Sequence, residues 1–300
     1  AANTGASDAI GSYVPTGADG SFSLTGEYAC TSGQQLYLYV LGGDPGTGVN
    51  AASGLMAVLG SCPSTAVSVT VNEVTTIAAA YAMAGFAVDA THVSSSGTAL
   101  AQVGVKNAFA NAGNLADVAT GTALATTPAG NGTAPQAEIN TLANVLANCI
   151  ETSSTCSTLL STATVDGTST GAAATDTASA AINIAHHPGA NAAALYGDAP
   201  PTAVFTPTLT RAPNDFALMV RYTGVGDGVA IDGSGDAWIR VTGELTEFSS
   251  LGVLLSPAGG FQGPSGVYNG SRIGHDQIAV DPLGNVWFPS SNSACEFSSS

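Results

Sequence analysis

The stretch DGVAIDGSGDAWIRVTGELTEFSS, residues 227–250, returns 49 residues later as DQIAVDPLGNVWFPSSNSACEFSS, residues 276–299. Nine positions are identical, among them Ala230/Ala279, Asp232/Asp281, Gly235/Gly284, Trp238/Trp287, Glu247/Glu296 and Phe248/Phe297. Val229/Ile278, Ile231/Val280 and Ala237/Val286 are conservative pairs. Each copy reads as an apolar strand, an Asp-x-x-Gly-Asp/Asn turn, and a second strand carrying Trp. Gly235 and Gly284 supply the positive φ of the turn, and Asp232 and Asp281 cap it. Trp238, Trp287, Phe248 and Phe297 are the large apolar side chains of the unit and are expected in its core. Self-similarity at a fixed period marks a repeat architecture.

Outward from the repeat, Phe216, Leu218, Val220 and Tyr222 alternate as in a strand, and Asp198-Ala-Pro-Pro-Thr before them reads as a linker. Residues 72–200 have helical character. A first helix follows Asn72 as N-cap, and a second covers Thr98 to Leu115. A third starts at Thr133, with Thr133 and Gln136 as a capping box and Pro135 in the first turn. Ile139, Leu142, Leu146 and Cys149 then share one face. Shorter helices are expected around Leu159–Leu160 and from Thr175 to His186, with Ser161–Ala173 a mobile loop between them. Residues 1–71 read as β. Phe22 and Leu24 alternate after the turn Ala18-Asp19-Gly20, and Leu36, Leu38 and Val40 alternate with Tyr37, Tyr39 and Leu41. Val67, Val69 and Val71 alternate again. The expected class is multidomain α+β: an antiparallel, β-sandwich-like domain over 1–71, an Ala-rich helical domain over 72–200, and the β repeats over 201–300.

The 49-residue unit resembles the NHL family of β-propeller repeats, in which one unit forms one four-stranded blade. Residues 71–81 (VNEVTTIAAAY), 127–133 (TPAGNGT) and 138–144 (EINTLAN) resemble the N-terminal regions of exported propeller proteins of soil bacteria. The resemblance implies an extracytoplasmic bacterial protein with an Ig-like or carboxypeptidase-regulatory-like first domain, and it implies no established activity. Propellers hold about four to eight blades, whereas this chain carries barely two copies of the repeat and stops inside the second. The sandwich in turn wants a strand before Ala1. Both ends therefore read as cut, so that either a longer chain or neighbouring subunits complete the two domains.

Composition limits the function classes. Five basic residues (Lys106, Arg211, Arg221, Arg240, Arg272) stand against 21 acidic ones, for a net charge of −16. That charge repels phosphate backbones and anionic bilayers, which argues against nucleic-acid and membrane partners. No run of 18 apolar residues marks a membrane-spanning helix. The chain opens at Ala1 without Met or a basic-then-apolar leader, so an upstream segment is expected to have been removed or omitted. The five cysteines suggest two disulfides, Cys30–Cys62 around the strand at Leu36 and Cys149–Cys156 across a turn, with Cys295 left over. Buried free thiols are the alternative; two disulfides would mean an oxidising compartment.

Catalytic signals are sparse. Propeller lyases of similar repeat style hold a metal through His and Glu, which singles out His275 with Asp276 and Asp281, although one His does not make a site. Asp232-Gly-Ser-Gly-Asp236 offers carboxylates suited to calcium but is too short for an EF-hand loop. His186-His187 point about 100° apart on a helix end and suit the helix C-terminus better than a metal. No Gly-x-Ser-x-Gly elbow occurs, and Cys295 replaces Thr246 of the first copy. The expected function is an extracellular structural or interaction protein without cofactor, whose partners are either further copies of itself, joined by strand or blade complementation into an oligomer or filament, or other cell-surface and extracellular proteins. The alternative is a piece of a propeller lyase or lactonase whose site lies outside this chain.

Overall fold

Residues 35–41, QLYLYVL, alternate in side-chain character and form the first long strand, β1 (Gln35–Leu41). A computed structural model describes residues 6–7, 12–24, 30–62, 68–222, 226, 228–241, 244–261, 277–290 and 293–298. β1 pairs antiparallel with β2 (Gly54–Ser61), with a register shift between Leu36 and Tyr37. The β2 sequence GLMAVLGS has no period-two signal because Met56 and Ala57, on opposite faces, are both buried. The Cys30–Cys62 disulfide ties the two ends of this hairpin.

Helices, not a second sheet, face the hairpin. These are α1 (Glu73–Met83), α2 (Ala99–Leu115), α3 (Gln136–Glu151), α4 (Cys156–Thr162), α5 (Thr177–His186) and α6 (Ala192–Gly197). The Ala-rich α1 lies at the centre, packed on β2, α2, α3 and α5; Val74, Ile77, Ala78, Ala79, Ala80 and Met83 are all buried. The small side chains permit this many close neighbours. The change of sequence character at Asn72 is not a gap in the packing. Met56 N donates to Thr76 Oγ1 (2.8 Å), Gly54 N donates to Thr177 Oγ1 (2.9 Å), and one apolar core runs from Met56 to Phe216. The sandwich-like layer expected over 1–71 is absent among the described residues. The Asp19 turn forms, with Ser21 N donating to Asp19 Oδ1 (3.0 Å), but Phe22 and Leu24 after it join no strand. Val69 and Val71 join none either, and Val67 lies outside the described residues.

Cap chemistry explains the starts of α1, α2 and α5. Asn72 accepts from Thr75 N while Thr75 Oγ1 accepts from Asn72 N. Thr98 accepts from Ala101 N, and Asp176 accepts from Ala178 N and Ser179 N. The capping box expected at Thr133 does not form. Thr133 is drawn into β3 (Gly132–Thr133), which pairs with β4 (Arg221–Tyr222), so α3 starts after Pro135 with no side-chain cap. Gln136 donates to Ala123 O instead (2.8 Å). Ile139, Leu142, Leu146 and Cys149 do share the buried face, and the Cys149–Cys156 disulfide closes the corner into α4. Residues 163–173 form no helix or strand, but hydrogen bonds such as Val165 N to Ala172 O (2.9 Å) and Thr164 Oγ1 to Thr168 O (2.7 Å) hold them.

The expected linker after Asp198 is a strap laid on α3. Asn144 Oδ1 accepts Val204 N (2.7 Å) and Phe205 N (3.1 Å), and its amide donates to Phe205 O (2.8 Å). Thr141 Oγ1 accepts Leu209 N, Asn140 donates to Pro207 O, and Asn148 donates to Asp198 O. Phe216, Leu218, Val220 and Tyr222 alternate inward along an extended chain, of which only Arg221–Tyr222 is laddered.

The repeats form two further sheets. β5 (Gly228–Ile231), β6 (Ala237–Val241) and β7 (Glu244–Phe248) make the first, and β8 (Ala279–Val280), β9 (Val286–Ser290) and β10 (Ser293–Phe297) make the second. Both are antiparallel in sequence order. Beside β7, isolated bridges at Leu254 and Phe261 flank Pro257 in place of a fourth strand. The chain is thus mixed helix and sheet with small antiparallel sheets; the described residues contain no closed barrel or complete propeller.

Candidate functional site

One carboxylate builds each repeat turn. Asp232 Oδ1 accepts the amides of Ser234 (2.8 Å) and Asp236 (2.9 Å), and its Oδ2 accepts the Trp238 indole N–H (3.1 Å). Gly235, at φ 84°, closes the turn by donating to Asp232 O. The second copy repeats the design. Asp281 Oδ1 accepts Leu283 N (2.8 Å) and Asn285 N (2.9 Å), and Oδ2 accepts Asn285 Nδ2 and Trp287 Nε1 (both 3.0 Å), with Gly284 at φ 89°. The Asp fixes the turn and the orientation of the Trp ring together. The Trp287 indole N–H, with Asn285 and the amide of Leu283, holds the Asp281 carboxyl down at about 2.

Alternation gives each sheet a front face, carrying Trp, and a back face. Trp238 and Leu245 on the front of the first sheet pack on Val286, Phe288 and Phe297 on the back of the second. Trp238 stacks on Phe261 at 5.7 Å and meets Phe297 at 5.7 Å, while Phe261 and Phe297 lie 4.7 Å apart. The four aromatics expected in one core therefore divide. Trp238 (1% exposed) and Phe297 share the core between the sheets. Phe248 lies on the outer back face of the first sheet, and Trp287 (38% exposed) on the outer front face of the second.

Asp232, Asp236 and Glu247 each place one oxygen within 4.8 Å of the others. Glu247 reaches the turn because it pairs across the ladder with Trp238. Burial, then the charges of Asp236 and Asp232, push the Glu247 carboxyl up; burial and the Asp232 charge push Asp236 up. Three carboxylates suit a hard cation such as calcium. Both Asp232 oxygens already accept hydrogen bonds, however, and Asp236 Oδ1 accepts Ser250 N (3.0 Å). Glu247, which completes the cluster, was signalled in the sequence by its identity with Glu296.

Of the lyase-like candidates, His275 and Asp276 lie outside the described residues, and both oxygens of Asp281 are engaged in its turn. His186 Nε2 lies 2.9 Å from Ala84 O and His187 Nε2 lies 3.1 Å from Val165 O, so each ring serves a backbone carbonyl. Cys295 is a free, partly buried thiol on the back face of β10. A groove between β2, α1 and α2, lined by Val58, Thr75, Ala78, Phe109, Ala112 and Gly113, has no ionisable side chain in its lining.

The helical layer holds the first repeat through asparagines. On one face of α2, Asn107 donates to Ser234 O (2.7 Å), Asn111 to Ser250 O (3.3 Å) and Asn114 to Tyr222 Oη (3.1 Å). Asn131 donates to Gly252 O. The Asn-x-x-x-Asn-x-x-Asn spacing was the available signal, since residues three and four apart share a helix face. Comparison with protein-family models, with curated proteins and with solved structures finds no match for this chain.

Proposed function

We propose that this chain is a secreted or cell-surface bacterial structural protein that works by self-assembly, its C-terminal sheets serving as successive NHL-type propeller blades. The observation that carries this reading is the front-to-back stacking of the two repeat sheets around Trp238, each set by the same Asp–Trp clamp. Two disulfides suit an oxidising compartment, and no described helix is long and apolar enough to cross a membrane. No cofactor enters this reading. The turn carboxylates of Asp232 and Asp281 accept their own backbone and indole N–H groups, which supports a structural role.

Light scattering on the purified chain, with negative-stain imaging, tests the proposal. Assembly predicts particles at multiples of 29.3 kDa whose mass rises with concentration. A monodisperse 29.3 kDa particle at every concentration refutes it.

A further inference from the structure

The two repeats share nine identical positions and the same Asp–Trp clamp but have opposite exposure. On the front faces, Trp238 is sealed by Phe261 and the back of the second sheet, while its counterpart Trp287 is exposed. On the back faces, Ile278 and Val280 of the second sheet pack against the shared core, while their counterparts Val229 and Ile231 are 63% and 60% exposed. Ala279, opposite Trp287 in the ladder, is exposed, whereas its counterpart Ala230, opposite Trp238, is half-buried. Among the described residues there is thus one completed front-to-back contact, and one front and one back of the same kind are left exposed.

We infer that the open front of the second repeat, centred on Trp287, docks on the open back of the first repeat, at Val229 and Ile231, of another copy of this chain. This rests on the self-assembly reading and adds to it the two surfaces and their polarity. The internal contact is the template: Trp238 against the back of the second sheet becomes Trp287 against the back of the next copy's first sheet. Such a contact is heterologous. Repeated, it closes a ring or runs on as a filament according to the rotation per step. A ring of about four to eight blades corresponds to about two to four copies. An aromatic ring at the centre and β-branched side chains opposite it are the chemistry of a stacked sheet contact.

The test uses the full chain and three variants. Trp287→Asp disables the front. Ala279→Glu disables the same face and leaves the Asp281–Trp287 hydrogen bond in place. Val229→Asp with Ile231→Asp disables the back. Each variant alone is expected to remain at 29.3 kDa by light scattering, and an equimolar mixture of a front variant and the back variant to double that mass and go no further. The dimer in the mixture also shows that both variants are folded. In the unmodified chain, acrylamide quenching of tryptophan is expected to fall as concentration rises, because Trp287 becomes covered.

The outcomes separate the two proposals. An unmodified chain that stays monomeric defeats self-assembly and this contact together. An unmodified chain that assembles, with variants that assemble equally well, defeats only this contact. Loss with the front variants and none with the back variant means front-to-front pairing and overturns the polarity.

Discussion

Replacing Asn144 with Ala should cost the chain about 3–5 kcal/mol of folding stability. Asn144 is 1% exposed and uses its full side-chain capacity. The carbonyl oxygen accepts Val204 N and Phe205 N, and the amide donates to Asn140 O and Phe205 O. Truncation removes the partner of two backbone amides and a strap carbonyl at a buried site, at about 1–3 kcal/mol each, with some relief from water entering the vacated space. Against a total of about 5–15 kcal/mol this is a large fraction. Urea unfolding gives the total, and hydrogen exchange at Val204 and Phe205 localises it: those two amides should lose protection before the core of α3. Asn144→Leu restores apolar volume without restoring the hydrogen bonds, so it should cost as much as Ala. A leucine variant within about 1 kcal/mol of the parent would refute the hydrogen-bond account and make the site a matter of packing.

Three further outcomes follow. The Asp281 carboxyl is held down at about 2, so its contribution is present above the unfolded value near pH ~4 and is lost as pH falls toward 2; the fluorescence of the exposed Trp287 should change across that window and lose the transition in Asp281→Asn. The Glu247 carboxyl is pushed up, so at pH 7 its charge opposes folding and Glu247→Gln should stabilise, by less than about 1 kcal/mol given solvent screening, with the gain vanishing as pH falls toward ~4; a destabilised variant at pH 7 by urea titration would contradict this. From sequence separations of 7 and 32, opening Cys149–Cys156 should cost about 2–3 kcal/mol and opening Cys30–Cys62 about 3–4 kcal/mol, measured as urea midpoints of the paired Cys→Ser variants; equal midpoints with and without the disulfides exclude them as structural ties.

Helices were legible where the chain caps itself: Asn72 with Thr75, Thr98 and Asp176 act on their own amides, so the local sequence holds the whole signal. Thr133 looked like such a cap and is not, because its backbone is taken by Arg221, a partner far along the chain. β2 escaped notice because burial on both faces erases alternation. The strap after Asp198 read as a linker because Ala199-Pro-Pro lacks any period, and its backbone groups are satisfied by side chains of α3 instead of by a ladder. The repeat turns were readable as turns, with Gly at positive φ and Asp as the cap, but the hydrogen bond that ties each Asp to the indole six residues on was not read. The fate of the two tryptophans was not readable: the same motif yields one buried ring and one open ring, and the difference lies in the neighbouring sheet.

The asparagines bear on what the repeats are free to do. The His92–Asp89 ion pair is exposed and lies within the helical layer, while hydrogen bonds from amide side chains to backbone carbonyls join that layer to the first repeat. Asn107, Asn111 and Asn131 reach Ser234 O, Ser250 O and Gly252 O, and all three carbonyls lie at one end of the strands: the β5–β6 turn and the chain just after β7. The first sheet is therefore gripped by its strand ends. A sheet packed on the helices through a face would spend that face on the contact; gripped by its strand ends, it keeps one face for the second repeat and leaves Val229 and Ile231 on the other exposed. Because the grip reads backbone carbonyls, the repeat can change its surface side chains without losing its place. Docking by strand ends leaves both faces of the first sheet available to the front-to-back stacking proposed above.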